Sequence, residues 1–379
     1  MNKIFFFYPH CYLKSTNREI LVYDTINRKY VYTKKNPLSP SEKVFFQKGF
    51  VYVSETPSDF VNQCIMNGLG YYVDFESISP FMYNRDLEFV TSLSKEKKAL
   101  GYNLHSYTNL LLKEVTVLLN NHKRNYHRDI CLQMGFPQYN DAIIDLDYIF
   151  RQLSSFPHIE SIILSGELDK SLLSALEYAK ERDIHITHRI LLDSTNDVES
   201  LHCMEEYENF SIELLVDSSM DVEQIKSLVR DKIYVKAIIQ SIHEIEKFQN
   251  INNVIYLPVL SPSHNNMDIL NQMILSEDEI LQSPKSLKDC LMSDYTNPLS
   301  YGNLVIDYDG SVSCLGEIIA SIYDTDLSSI VNAWVSKNNN MWYYTRQKKK
   351  SCKDCALQAL CPPISIYEKL GYYECPCKI

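Results

Sequence analysis

Apolar residues change their spacing along this chain, and the longest regular stretch runs from about Glu114 to Leu260. Short β-branched runs there predict strands, and the segments between them carry apolar residues at helical spacing. Strands that alternate with helices pair in parallel through right-handed crossovers. About six such units predict an α/β fold with a partial (β/α)6 TIM-like barrel, and a doubly wound open sheet is the alternative. The predicted strands are Val115–Leu119, Ser161–Leu164, Ile184–Leu192, Ile212–Val216, Ile233–Ile239 and Val254–Leu260, and the helical segments are Asp141–Leu153, Lys170–Arg182, Val222–Val229 and His243–Phe248.

The chain before this region has a different pattern, with short aromatic and β-branched runs separated by polar turns. The runs Tyr12–Lys14, Glu19–Tyr23 and Lys29–Thr33 predict a three-stranded meander. Helices are expected to start near Ser39 and Thr56, each followed by Pro, and Gly70–Asp74 returns as a strand. Residues 1–110 are therefore predicted to form an α+β module.

The chain after this region begins a third pattern near Tyr295. Gly302–Asp307 and Ser311–Cys314 predict two strands, and Asp309-Gly310 between them predicts a hairpin turn. Leu327–Lys337 predicts a helix. The resulting domain division is 1–110, 111–294 and 295–379.

Composition narrows the class of protein. The 379 residues are 45% hydrophobic and 22% charged, which is typical of a globular chain of two or three domains. The net charge of −11 argues against a nucleic-acid partner, since the short basic run Lys348–Lys350 reads as a solvated face. The apolar run Ile4–Tyr8 is too short for a signal peptide or a membrane span. We therefore expect a cytoplasmic protein with no membrane partner.

Cysteines supply the strongest chemical signal. Five of the eleven lie in the last 28 residues. A C-x2-C turn lets two sulfurs converge on one metal or cluster, and zinc and iron–sulfur both fit such spacing. Disulfides are the less expected alternative, because no secretory signal is present. The candidate ligands are Cys352, Cys355, Cys361, Cys375 and Cys377.

The order of these features resembles the radical S-adenosylmethionine peptide maturases that carry a SPASM domain. The resemblance covers residues 114–379: an α/β region, a hairpin of the form G-x-L-x-I-D-x-D-G-x-V-x-C, and then C-x2-C-x5-C-P. The stretch Ile163–Glu167 stands where that family has a G-G-E-P motif, although Ser165 and Leu168 replace the first glycine and the proline. The resemblance implies a partial barrel with a C-terminal domain that holds auxiliary 4Fe–4S clusters.

One departure from the family is decisive. The C-x3-C-x2-C motif after the first barrel strand is missing, and only Cys131 stands there, with His122 and His127 nearby. One thiolate does not hold the radical-generating cluster, so neither binding nor cleavage of S-adenosylmethionine is expected. The combination resembles the pseudo-radical-SAM proteins of the GG-Bacteroidales natural-product system, which are encoded beside an active maturase and a short precursor peptide. The grasp-with-SPASM maturases are the nearest competing family.

The same resemblance implies one auxiliary cluster. Cys352, Cys355 and Cys361 match the first three ligands of the distal cluster, and either Cys375 or Cys377 matches the fourth. The proximal cluster lacks its other thiols, so Cys314 is expected to be a buried remnant. We expect one 4Fe–4S cluster, with a structural zinc as the alternative.

The resemblance implies a non-catalytic accessory protein in the maturation of ribosomally synthesised peptides (RiPPs). It is expected to bind a precursor peptide, a partner radical maturase, or both. The first module resembles winged-helix leader-recognition modules, in which a peptide adds a strand to a sheet edge; an ordinary capping domain is the equal alternative. Other hypotheses are a peptide-modifying oxidoreductase with one cluster and a zinc-stapled scaffold, and no catalytic residues stand out. The candidate peptide-binding edge is Lys29, Tyr30, Val31, Tyr32 and Thr33.

Overall fold

A computed structural model shows a mixed α/β protein built around a large sheet. The stretches that it describes are residues 3–74, 110–119, 144–166, 172–192, 208–229, 231–260, 267–337 and 339–375.

The six strands that the hydrophobic pattern predicted form a run of parallel strands within a nine-stranded sheet. They lie side by side in chain order, without the reversal of direction that marks a doubly wound sheet. Among the described residues the last of the six does not pair with the first, so these residues show no closed barrel. The strands are β7 (Glu114–Leu118), β8 (Ser161–Ser165), β9 (His185–Leu191), β10 (Phe210–Val216), β11 (Ile233–Ile239) and β12 (Val254–Pro258).

One face of this parallel region is apolar and is covered by the connecting helices. Val115, Ile162, Ile186 and Ile212 lie on this face and are almost completely buried. Their side chains alternate with those of the opposite face because successive strand residues point to opposite sides. The covering helices are α3 (Leu146–Leu153), α4 (Leu172–Arg182), α5 (Val222–Leu228) and α6 (His243–Phe248).

The opposite face carries polar side chains, among them a buried ion cluster. Glu213 on β10 contacts Arg189 on the neighbouring β9, and its second oxygen lies 2.6 Å from Lys236 Nζ on β11. Burial alone would raise the pKa of Glu213, but the positive charges of Arg189 and Lys236 outweigh it and hold that pKa below its ordinary value. The cluster therefore stabilises the ionised carboxylate in the folded protein.

This cluster predicts a pH dependence of stability. The folded-state pKa of Glu213 lies below the unfolded value of about 4.3, so its contribution is complete above that value and disappears as the pH falls through the folded pKa. We expect urea unfolding of the wild type to lose more free energy between about pH 7 and about pH 3 than the Glu213→Gln variant loses. Glu181→Gln, on an exposed site of α4, is the matched control and keeps the wild-type profile. Identical profiles for wild type and Glu213→Gln would contradict the assignment.

The predicted C-terminal hairpin is confirmed, and it extends the same sheet. Gly310 has φ 78°, and a Cβ there would lie 2.3 Å from the Tyr323 ring, so the turn requires glycine. The strand before the turn pairs in parallel with β7, which places Leu304 beside Val115. The sheet thus continues across the predicted boundary at residue 295, and the domain division stays a prediction. The added strands are β13 (Asn303–Ile306), β14 (Ser311–Cys314) and β15 (Glu317–Ser321).

The N-terminal region contains two antiparallel sheets of three strands. One is the predicted meander, with β2 (Cys11–Ser15) and β4 (Tyr30–Thr33) on either side of β3 (Ile20–Asp24). The other was predicted only in part. It places β1 (Lys3–Phe7), the apolar run at the start of the chain, between β5 (Phe50–Tyr52) and β6 (Gly70–Asp74).

Two predicted helices complete this region. The first, α1 (Pro40–Gln47), begins at a capping box, in which the Ser39 hydroxyl accepts from the Glu42 N–H and the Glu42 carboxylate accepts from the Ser39 N–H. The second is α2 (Ser58–Met66), which ends just before Gly68 as predicted.

The meander lies between two cores. Val22 and Val31 point into the core of the N-terminal sheets, whereas Tyr12 and Tyr23 point into a second core. That second core is shared with α8 (Glu277–Gln282), α9 (Leu287–Tyr295) and residues 352–361, which we call the cysteine segment. The meander therefore packs against the N-terminal sheets on one face and against the C-terminal cysteine segment on the other. The remaining helices are α7 (Met267–Met273), α10 (Leu327–Ser336), α11 (Ile366–Lys369) and two 3-10 turns, Met341–Tyr343 and Arg346–Lys348.

Within the described residues, no helix is both long enough and apolar enough to cross a bilayer.

Candidate functional site

The cysteine segment folds as a series of tight turns after the second 3-10 turn. The Cys352 N–H donates to the Lys349 carbonyl and the Cys355 N–H to the Cys352 carbonyl, each at 3.0 Å. The Leu357 N–H donates to Cys355 Sγ at 3.4 Å. The sulfur of Cys355 thus accepts a backbone hydrogen bond within its own turn.

Two of the predicted ligands meet in the structure. The thiols of Cys352 and Cys375 are in hydrogen-bond contact, and this contact, together with burial, raises the pKa of Cys352. Cys361 is also buried, whereas Cys377 lies outside the described residues. In the part of the chain that the structure describes, no three His, Cys, Asp or Glu side chains converge closely enough to hold a metal ion. The donor type suits zinc or iron–sulfur chemistry, and Cys352 and Cys375 are the part of the predicted set that is seen together.

Cys355 faces the meander. It packs at the rim of the shared core with Tyr30 and Tyr32. Burial, followed by the charges of Glu19, Glu277 and Cys355, raises the pKa of Tyr32. The third predicted ligand thus lies against the tyrosine side of β4.

A buried arginine links the cysteine segment to the end of the chain. Arg346 is 4% exposed and forms two hydrogen bonds to Glu368 on α11, at 3.1 and 2.8 Å. Its other donors reach the carbonyl oxygens of Pro362 and Pro363 and, at 3.9 Å, Cys352 Sγ. All five guanidinium N–H groups therefore have acceptors. Nothing in the sequence pattern singled out Arg346, because only the fold brings its partners beside it, Glu368 from α11 and the others from the turns before that helix.

The other cysteines of the described residues are all buried, as predicted for Cys314, and Cys11 and Cys64 lie close enough to interact. Cys11, Cys64, Cys290 and Cys314 are each at most 2% exposed. Burial raises the pKa of Cys290 and of Cys314 to about 12, so both stay as neutral thiols. The residues of the two degenerate motifs and one further cysteine lie outside the described stretches: His122, His127, Cys131, Glu167 and Cys203.

A groove of about 860 Å³ runs along the outer edge of β2. Its volume is within the range of ligand sites in proteins. The walls come from β2, α1, α9 and the cysteine segment, so the groove lies where the two ends of the chain meet. The residues that line it are Pro9, Cys11, Tyr12, Leu13, Lys14, Ser15, Thr16, Asn17, Lys43, Gln47, Leu287, Leu291, Asp294, Tyr295, Gln347, Lys353, Asp354 and Gln358.

The hydrogen-bond register of β2 leaves its outer edge open. The Thr16 N–H donates to the Glu19 carbonyl and closes the turn to β3. In an antiparallel pair, hydrogen-bonded and non-hydrogen-bonded positions alternate, so Leu13 and Ser15 direct their N–H and C=O groups away from β3. No described residue bonds to these backbone groups. The edge therefore presents four backbone hydrogen-bonding groups to the groove.

A partly buried carboxylate fixes α9 against β2. Asp294 accepts hydrogen bonds from Tyr12 Oη at 2.8 Å, from Lys14 Nζ at 2.7 Å and from Gln347 Nε2 at 2.7 Å. The positive charge of Lys14 is thereby balanced by Asp294 within the groove wall. The anchor holds the helix beside the strand while the strand edge stays accessible.

The cysteine segment forms one end of the same groove. The Thr16 hydroxyl donates to the Asp354 carbonyl at 2.9 Å, and the Ala356 N–H donates to Glu19 Oε2 at 2.8 Å. Gln358 is 4% exposed; its amide nitrogen donates to the Cys352 carbonyl, but its Oε1 accepts nothing from the described residues. The loop between the first two predicted ligands is thus joined directly to the β2–β3 turn.

The predicted peptide-binding edge, Lys29–Thr33, is the other outer strand of the meander. Tyr30 and Tyr32 pack partly into the shared core. None of the five predicted residues lines the groove, which runs along β2 instead. Both outer strands have similar alternating sequences, so only the packing of α1 and α9 distinguishes them. Peptide binding at Lys29–Thr33 stays a prediction.

No protein-family model matches this chain, and a search of curated proteins found none with significant similarity.

Proposed function

We propose that this protein is a non-catalytic accessory protein in RiPP maturation, and that it binds an extended precursor peptide along β2. The observation that carries the proposal is the open backbone edge of β2 inside a groove with walls on both sides. Strand addition takes its affinity from main-chain hydrogen bonds and its specificity from alternate side-chain pockets. The edge at Leu13 and Ser15 supplies the main-chain hydrogen bonds, and the helices beside it supply the side-chain pockets.

The cysteine segment is proposed to hold one 4Fe–4S cluster, with structural zinc as the alternative. Cys352 and Cys375 are the first two ligands of this proposal because their thiols are in contact. Cys355 and Cys361 complete the set, and Arg346 donates toward Cys352 Sγ. When bound, such a centre supplies a covalent cross-link between the cysteine segment and the chain end, which stabilises a small lobe. The absence of S-adenosylmethionine chemistry is part of the same proposal.

The finer architecture is proposed on the same resemblance. The sequential parallel strands support a partial TIM-like barrel, and the hairpin followed by the cysteine segment supports a SPASM-like domain. The N-terminal sheets and helices are proposed as a winged-helix-like recognition module. A partner radical maturase in the cytoplasm would then receive the peptide from this protein.

Backbone methylation of a bound peptide tests strand addition directly. A linear peptide library would be selected on the full-length protein, and the best binder would be resynthesised with one N-methyl group at each position in turn. We expect affinity to fall by about tenfold or more at every second position, since only alternate N–H groups face β2, with small effects between them. Fluorescence anisotropy measures the affinities, and the intervening positions serve as matched controls. Losses with no alternation would refute strand addition.

A further inference from the structure

The groove walls also restrict which peptide fits. Resting on the proposed function, we infer that the segment added to β2 alternates acidic and aliphatic side chains. Of the two helices beside the open edge, one presents polar side chains to the groove and the other presents aliphatic side chains. On α1 the groove side carries Lys43 and Gln47, and on α9 it carries Leu287 and Leu291. Each pair is four residues apart, so each lies on one face of its helix.

The geometry of a sheet assigns each peptide side chain to one wall. Directly opposite residues on neighbouring strands point to the same face. Leu13 packs toward the N-terminal core that contains Phe46 of α1, so peptide residues opposite Leu13 and Ser15 point toward α1. Tyr12 packs in the core that includes Leu287 and Leu291, so residues opposite Tyr12 and Lys14 point toward α9. The side chains of consecutive peptide residues therefore contact α1 and α9 alternately.

The α1 wall favours a carboxylate. The Lys14 ammonium is paired with Asp294, whereas the Lys43 ammonium has no hydrogen bond or ion pair to a described residue. A peptide Asp or Glu at this position gains a charge-assisted hydrogen bond from the ammonium group. Gln47, one turn further along, offers an amide donor to the next side chain on the same side.

The α9 wall favours aliphatic groups. Leu287 and Leu291 are only partly buried in the shared core, and their remaining surface faces the groove. An aliphatic side chain placed there buries apolar area on both partners. Since β2 has five residues, the recognised segment is about five residues, or about 17 Å, long.

Two peptide isomers test the pattern. One is a fluorescein-labelled heptapeptide of alternating Asp and Val, and the other has the same residues arranged as an Asp block followed by a Val block. Charge and composition are equal, so only the alternation differs. We expect the alternating isomer to bind the full-length protein at least about tenfold more tightly by anisotropy. Equal affinities would overturn this inference and leave strand addition in place, because the methylation scan tests that separately. Binding of neither isomer would also overturn it.

A charge swap assigns the acidic positions to Lys43. We expect Lys43→Glu to weaken the alternating Asp-Val peptide about tenfold and to bind a Lys-Val analogue more tightly than the wild type does. Lys48→Glu makes the same charge change just beyond the end of α1, outside the groove lining, and is expected to leave both affinities within about twofold. Unchanged circular dichroism confirms that each variant is folded. Equal responses of the two variants would overturn the assignment.

Discussion

Arg346→Ala is expected to lower the free energy of unfolding by about 3–5 kcal/mol, because it breaks a buried ion pair from one side. The Arg346 and Glu368 side chains are 4% and 1% exposed. Removing the guanidinium leaves Glu368 with Lys349 alone and leaves the carbonyl oxygens of Pro362 and Pro363 without these donors. The free energy of unfolding falls because buried polar groups lose hydrogen-bond partners. Urea unfolding of the purified protein measures this change.

Two further variants separate the buried ion pair from a general effect of losing a cation. Lys337→Ala breaks the contact with Glu317, where the Lys337 side chain is 55% exposed, and is expected to cost less than about 1 kcal/mol. Arg346→Lys keeps the charge but offers three donors in place of a planar fork of five, so an intermediate loss is expected. If Arg346→Ala unfolded within about 1 kcal/mol of the wild type, the proposed role of the arginine would be wrong.

Cys352→Ala and Cys375→Ala are each expected to abolish stoichiometric metal binding. The two thiols meet in the structure, and a four-thiolate centre that loses one ligand is held far more weakly. Metal and inorganic sulfide analysis after anaerobic purification gives the readout, and the presence of sulfide distinguishes an iron–sulfur cluster from zinc. Cys355→Ala is expected to lose the metal and to unfold the C-terminal lobe, since metal binding contributes to folding.

Matched cysteine controls make this assignment testable. Cys377→Ala is expected to keep the metal, because Cys375 is the terminal cysteine whose thiol contacts Cys352. Cys290→Ala removes a fully buried thiol of α9 outside the predicted set and is also expected to keep it. Metal loss in Cys377→Ala with retention in Cys375→Ala would reverse the choice of fourth ligand. Metal retention in Cys352→Ala would refute the site.

The two candidate sites share structure, which gives the cysteine variants a second readout. The loop between Cys352 and Cys355 bonds to Thr16 at the turn that follows β2. Gln358, in the groove lining, bonds to the Cys352 carbonyl. We therefore expect the Cys352 variant to bind the alternating peptide more weakly as well, whereas the Cys290 control binds it normally.

Much of the local structure was predictable because its causes lie within a few residues. The parallel strands follow β-branched runs, the hairpin turn needs the φ of Gly310, and α1 starts where Ser39 and Glu42 cap each other. The burial of Cys314 also agreed with the prediction, since a thiol without partner ligands packs as a small apolar group. The spacing of Cys352, Cys355 and Cys361 identified the segment but not which thiols meet.

The sequence by itself determined the six parallel strands and the helices between them, the meander, α1, α2, the hairpin and the set of candidate sulfur ligands, since propensity, capping and periodicity act over short distances. Only the tertiary structure decided that β13 pairs with β7, that Cys352 meets Cys375, and that the open strand edge in the groove is β2 rather than β4. These outcomes depend on contacts between distant parts of the chain, such as Lys14 with Asp294. Local patterns carry no information about such contacts, because either edge strand can bury its apolar side chains equally well until α1 and α9 pack beside one of them.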